Sequence, residues 1–342
     1  IRFRSVAYHH YLDRSWNKFN GFSGGLDVHN LLQSEPGGQG AVFLAILRGE
    51  EDSFGSDQRL QIGNNHRVFH SFGLQNTAEW AVEGEGFLSR MEFGLRLHGD
   101  HVRRDHTESP YAMRDGTLEP DGLSTTTLSS VSTAQALAVH VHEDLSLGRF
   151  HFFPGVRVEV VRTWQQDEGL TEAAPQIRAT PLPGAGTLVE ITPDLDGFAG
   201  IHRGFSPVAP GQAAEVLPEQ SWNTEAGFRV DKGIGHLEWV GFYNDYSNIT
   251  GQCTFSAGCN GDNLDQQYNG GAATIAGLET VAGLRWGLGE HFNLPAQLSY
   301  SWTQSRFTTD FTSGFSQYGR VEAGDFLPYV AAHQAHLQVG IQ

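Results

Sequence analysis

Residues 87–98 read Phe-Leu-Ser-Arg-Met-Glu-Phe-Gly-Leu-Arg-Leu-His. Phe87, Met91, Phe93, Leu95 and Leu97 fall on one face, and Arg90, Glu92, Arg96 and His98 on the other. Successive side chains of a strand point to opposite faces, so this stretch predicts a strand with one greasy and one charged side. It is longer than the roughly 5–6 residues of an ordinary globular strand. It matches the about 9–11 residues that a tilted strand needs to cross a bilayer. The same alternation recurs in 131–142, where Leu137, Val139 and Val141 oppose His140 and His142, and in 150–160, where Val156, Val158 and Val160 oppose Arg157 and Glu159. In 294–305, Leu298, Tyr300 and Trp302 oppose five polar residues from Gln297 to Ser305. In 329–342, Leu337, Val339 and Ile341 oppose Gln334, His336, Gln338 and Gln342.

About twelve such strands are predicted, over 1–12, 64–80, 87–104, 131–144, 150–164, 186–193, 197–206, 221–231, 235–248, 267–286, 294–307 and 329–342. The joins alternate. Short ones fall near 81–86, 145–149, 194–196, 232–234 and 287–293. Long ones fall near 13–63, 105–130, 165–185, 207–220, 249–266 and 308–328. Short periplasmic turns and long extracellular loops are the rhythm of a bacterial outer-membrane β-barrel. No helical period competes. The fold class predicted is all-β, a transmembrane antiparallel barrel. Its polar inner face implies a wet lumen or a polar plug rather than a greasy core. Trp80, Trp286, Tyr300 and Trp302 suit either an aromatic girdle or ordinary sheet packing.

Composition agrees with this reading. Hydrophobic residues make up 39% and mean hydropathy is −0.33. A barrel dilutes its membrane signal because alternate residues face the lumen. The net charge of −17 argues against nucleic acid as a partner. The chain begins at Ile1 and stops at Gln342 within apparent strands, which predicts a portion of a longer barrel.

Three stretches carry a family resemblance. His202-Arg203-Gly204-Phe205-Ser206-Pro207 is followed by Pro218-Glu219-Gln220-Ser221. Gly241 to Asn248, reading Gly-Phe-Tyr-Asn-Asp-Tyr-Ser-Asn, is followed by Asn269-Gly270-Gly271-Ala272 and Gly277-Leu278-Glu279. Phe315-Ser316-Gln317 is followed by Gly324-Asp325, Leu327-Pro328-Tyr329 and His333-Gln334. In order and spacing these resemble the barrel of TonB-dependent outer-membrane receptors, closest to the ferric citrate receptor type, over most of residues 60–342. The resemblance implies a 22-stranded barrel closed by an N-terminal plug, with neither plug nor closing strands in this sequence. It implies a Gram-negative outer-membrane location and import of a ferric siderophore or iron–citrate-like chelate with energy from the TonB complex. It implies no catalysis and no cofactor, the iron being cargo held by its chelate. A passive porin-like channel, a receptor for a non-iron nutrient and a soluble β-rich module are the rival readings.

An anionic chelate asks for arginine, whose planar fork binds carboxylates in bidentate fashion. Such arginines must point into the lumen near the extracellular end or lie in the loops. Arg103, Arg104, Arg162, Arg203 and Arg306 lie near the outer ends of outward strands, with Trp164, Tyr246 and Phe307 at similar height. Basic residues at this level equally suit lipopolysaccharide phosphates, or nearby carboxylates such as Asp105 and Asp245. Cys253 and Cys259 share a long loop that would face an oxidising exterior, so a disulfide is expected, with free thiols or metal binding as alternatives. The 16 histidines, including His9-His10 and the pair His140 and His142, show no second ligand pair at zinc spacing, so no metal site is assigned. Gly21-Phe22-Ser23-Gly24-Gly25 has the G-x-S-x-G form, but a nucleophile elbow needs a strand before it and a helix after it. Asn248-Ile249-Thr250 is a formal sequon, and the acidic stretch 260–265 fails the EF-hand pattern.

Overall fold

The computed structural model describes residues 1–26, 31, 39–167, 175–233, 235–253, 266–289, 292–313 and 319–341. The long strands are β1 (Arg2–Arg14), β3 (Leu60–Gly84), β4 (Phe87–Arg114), β6 (Thr125–Leu147), β8 (Gly155–Asp167), β9 (Gln176–Thr192), β10 (Leu195–Ser206), β11 (Glu219–Lys232), β12 (Gly235–Asn248), β15 (Ala273–Leu288), β16 (Phe292–Phe307) and β19 (His333–Val339). Short strands fill in between them: β2 (Asn17–Phe22), β5 (Thr117–Pro120), β7 (Phe150–Phe152), β13 (Thr250–Gln252), β14 (Gln267–Asn269), β17 (Phe311–Thr312) and β18 (Arg320–Val321). One antiparallel sheet of fifteen strands runs β1-β3-β4-β6-β7-β9-β10-β11-β12-β15-β16-β19, with β2 on β3, β5 on β4, and β8 between β6 and β9. Each of the twelve predicted strands falls on an observed one. Sequential neighbours pair, the up-and-down order of a membrane barrel wall.

Register fixes what each face carries, because direct partners across an antiparallel pair share a face. Leu74, Leu97, Leu137, Val160 and Ala179 form one cross-strand row, and Ala78, Phe93, Val141, Val156 and Pro183 another. Phe228, Trp239, Thr280 and Tyr300 continue this face on the later strands. Leu97, Phe93, Val139 and Val158 are exposed despite being apolar. A water-facing protein rarely shows so long an apolar belt, whereas lipid covers it. At the short-turn end Trp80, Phe87, Phe150, Trp286 and Phe292 are exposed. Trp222 and Tyr243 are exposed at the other end. Two aromatic levels therefore bracket the belt, as at membrane–water interfaces. Arginine in place of Leu95, at mid-belt, is expected to destabilise the folded barrel by about 2–4 kcal/mol. Urea titration of the receptor in lipid vesicles would measure this, and an unchanged midpoint would remove the lipid-facing assignment.

The opposite face is polar and laddered with charge pairs. His140 Nε2 lies 2.9 Å from Glu92 Oε1, Arg157 Nε donates to Glu159 Oε1 at 2.6 Å, and Arg229 Nε donates to Glu238 Oε2 at 2.7 Å. Arg96 donates to the Tyr8 hydroxyl at 3.0 Å, and that hydroxyl is 2.6 Å from His98 Nδ1. Among the described residues no three His, Cys, Asp or Glu side chains converge as a metal site. The β3–β4 and β6–β7 turns sit at one end. Gly86 and Gly148 adopt φ of 68° and 58°, which a Cβ would strain, and the Gly148 amide donates to the Gly86 carbonyl at 2.9 Å.

The structure departs from the sequence reading in several places, among them the expected strand 267–286, which is split between β14 and β15. Strands β4 and β6 hold 28 and 23 residues and run well into the stretch expected to be the loop 105–130. Strand β9 begins at Gln176 inside the expected loop 165–185, and β3, with 25 residues, starts at Leu60 just inside the expected loop 13–63. Beyond Leu97 the outward face of β4 becomes Gly99, His101, Arg103 and Asp105, so it leaves the belt while its backbone pairing continues. The expected strand 150–164 is broken by Pro154, which has no amide to donate; its carbonyl still accepts from Glu143 at 2.9 Å. Finally, a helix, α1 (Gln39–Leu47), lies within the expected loop 13–63. Its sequence, QGAVFLAIL, is apolar all round and so has no helical period to detect. Phe43 and Ile46 pack with Phe22, Leu31, Leu60 and Met113 in a small core at the long-loop end. The Ser23 hydroxyl of the G-x-S-x-G stretch is engaged by Gln61 and the Arg59 carbonyl.

Candidate functional site

The polar face carries an unusual row near the long-loop end. Arg14 of β1 pairs with Arg67 of β3, Arg67 with Arg104 of β4, Arg104 with Ser130 of β6, and Ser130 with Asp167 of β8. Arg67 shares its face with Ser71 and Gly73, opposite Leu74, so the row faces the lumen. Three guanidinium groups thus stand side by side on neighbouring strands. Like charges directly opposite are destabilising by themselves, so such a row favours an anion across it.

The polar atoms in the row are not all spoken for. Arg67 Nε donates to Nε2 of His106 at 3.1 Å, and His106 is only 6% exposed. The Arg14 guanidinium lies over Trp16 and Phe69, at 5.9 Å and 5.5 Å from the ring centres. Arg104 Nε and the Ser130 hydroxyl, direct neighbours in register, are buried without a hydrogen-bond partner. Buried donors without partners cost about 1–3 kcal/mol each. A carboxylate or other oxyanion supplies acceptors to both at once.

The sequence-predicted site residues divide between the two faces. Arg104 lies in this row. Tyr246 also faces the lumen, in a separate row with Ser221, Ala273 and Phe307. Phe307 is buried with Ala273 and Val321 and packs against Phe311, so it serves a loop core. Arg162 and Trp164 follow Val160 on the lipid-facing side, Arg203 follows Ile201, and Arg306 follows Trp302 and Gln304. Arg103 faces the same way and binds Asp105 at 2.8 Å. The set therefore does not form one pocket. The parity that separates it is countable from the last apolar residue of each strand. Arg14 and Arg67 were missed because only hairpin register aligns them with Arg104. Cys253 is fully buried and disulfide-bonded, while Cys259, its expected partner, lies outside the described residues. The stretches 260–265 and 315–317 lie outside them too.

A lipid-belted antiparallel wall with a charged lumen and long outer hairpins defines an outer-membrane β-barrel. A family model described as "TonB dependent receptor-like, beta-barrel" matches residues 2–342, and the chain belongs to that family. Its place is the outer membrane of a Gram-negative bacterium. No curated protein sequence matches it. Among solved structures it is similar to the ferric citrate transporter FecA in unliganded form, with a TM-score of 0.61 at 20% identity over 82% of this chain and 41% of that one. The siderophore receptor PiuA from Acinetobacter baumannii gives 0.62 at 14% identity, over 98% and 49%. The pyoverdine receptor FpvA from Pseudomonas aeruginosa PAO1, bound to pyoverdine, gives 0.57 at 14% identity, over 82% and 40%. The chain thus spans less than half the length of these three structures.

Proposed function

We propose that this protein belongs to a receptor that captures an anionic ferric chelate, a siderophore or iron–citrate-like complex, and imports it with energy supplied through TonB. The observation that carries the reading is the lumen-facing row Arg14, Arg67 and Arg104, with Arg104 Nε and Ser130 Oγ lacking partners. Arginine forks bind carboxylates and similar oxyanions in bidentate fashion. The row stands in a chain of net charge −17, so its local sign is set by placement rather than composition. The similarity to FecA, a ferric citrate transporter, and to PiuA, a siderophore receptor, supports such a cargo. The iron arrives already coordinated, so recognition of the chelate needs no protein ligand to the metal.

Cells carrying or lacking the gene, grown under iron limitation, provide the test. Labelled ferric citrate and several siderophores of differing charge are supplied one at a time. Loss of uptake for one anionic chelate, restored by the gene and abolished when TonB is deleted, is the expected result. Uptake of every chelate unchanged by the deletion would remove the iron reading. Uptake independent of TonB would point to a passive channel.

A further inference from the structure

Three arginines stand on the face that lipid covers. Arg162 comes one outward step after Val160, Arg203 one step after Ile201, and Arg306 two steps after Trp302. All three therefore sit at the long-loop edge of the apolar belt. Each is set against an aromatic ring: Arg162 over Trp164 at 4.9 Å, Arg203 over Trp222 at 6.0 Å, and Arg306 over Phe326 at 4.4 Å. Arg203 and Arg306 donate to neutral oxygens, Arg203 to Gln220 Oε1 and Arg306 to the Gly324 carbonyl at 2.8 Å. Among the described residues none of the three has a carboxylate partner, although Arg103, Arg157 and Arg229 each have one. Acids outnumber bases 39 to 22, so acidic partners were not scarce.

We propose that Arg162, Arg203 and Arg306 bind phosphate groups carried by lipids of the outer leaflet. A long side chain at this level lays its stem on apolar surface and holds its charge at the membrane–water boundary. Lipid acyl chains occupy the belt below, which brings their phosphates to the same height. The guanidinium fork fits a phosphate through two parallel hydrogen bonds, and the aromatic face holds the fork flat. These side chains point away from the lumen, so a chelate inside the barrel does not meet them. Asp245 is the opposing charge on this level: it is the register partner of Trp222 on one side and of Thr274, beside Arg306, on the other. It weakens the field between Arg203 and Arg306. Arg162, flanked in register by Gln135 and Ile177, is the strongest of the three positions.

The test uses the intact receptor in detergent, with native mass spectrometry reading bound diphosphoryl lipid A, monophosphoryl lipid A and inorganic phosphate. The expected result is retention of diphosphoryl over monophosphoryl lipid, no displacement by inorganic phosphate, and on the order of tenfold weaker binding after Arg162→Gln, Arg203→Gln and Arg306→Gln together. The lumen pair Arg67→Gln and Arg104→Gln keeps lipid binding, which separates this inference from the chelate reading. Should the triple variant fail to assemble, Arg162→Gln alone is expected to weaken binding roughly two- to threefold. Equal binding of both lipids, or undiminished binding by the outward variants, overturns the proposal.

Discussion

Glutamate at both position 67 and position 104 is expected to weaken binding of an anionic ferric chelate by about two orders of magnitude or more. Two charge-assisted hydrogen bonds are removed, each worth roughly 1.5–3 kcal/mol, and each decade of affinity corresponds to about 1.4 kcal/mol. The reversed charge then adds repulsion to the loss. Arg67 and Arg104 are register partners on the lumen face, so both substitutions act on one spot. Glutamine at the same positions removes the bonds without the repulsion and should fall between wild type and the glutamate pair. Ser130→Ala, which deletes the neighbouring unpartnered hydroxyl, should cost less than either. Titration of the purified receptor by intrinsic fluorescence, with a neutral chelate as control, measures the series. The reading fails if affinity for the anionic chelate is unchanged while the variants remain folded.

Valine at position 277 should block formation of the folded barrel. A Cβ there would run into the Trp302 carbonyl oxygen on one neighbouring strand and the Phe242 ring on the other. A ring can turn aside, but a carbonyl held in a ladder cannot. Overpacking of this kind costs about 1–3 kcal/mol, and more where nothing can give. The arrangement recurs at Gly227, where a Cβ meets the Trp239 carbonyl and the Phe198 ring, and at Gly73, under Tyr8. A cross-strand aromatic laid over a strand glycine fills the gap that the missing side chain leaves. Gly283→Val is the matched control, because the nearest atom to its added Cβ is the His236 Cβ at 3.8 Å. The heat-modifiable gel shift of folded barrels, with urea midpoints, reads the outcome. Equal midpoints for the two variants would show that the wall relaxes more easily than its register suggests.

The membrane-spanning part of this fold was legible because lipid imposes a strict period of two. Phe93, Leu95 and Leu97 announce it without help from tertiary structure. Where the strands rise out of the belt, both faces meet water and the alternation ends. Asp105 to Glu108 therefore read as loop although they are laddered on both sides. Helix α1 was illegible for the opposite reason, since apolar residues all round it leave no period. In the candidate site, Arg104 was found from its height and residue type. Its neighbours Arg14 and Arg67 lie 90 and 37 positions away in sequence, and only pairing registers bring them beside it. Arg162, Arg203 and Arg306 were expected at this height to point into the lumen or to lie in loops, whereas counting in twos from Val160, Ile201 and Trp302 puts them on the outward face.

The long β3–β4 and β4–β6 hairpins change what the surroundings can do to this molecule. From Gly99 to Arg114, β4 extends past the belt by about 16 residues, or roughly 50 Å of chain measured along the strand. Arg103, Arg104 and Arg114 offer cleavable bonds to a trypsin-like protease, yet the protease must first peel an extended segment away from partners on β3, β5 and β6. The outermost wall is thus armoured by its own backbone. Digestion from outside is therefore expected to reach the part of the wall that holds the arginine row late, because the backbone there is paired on both sides.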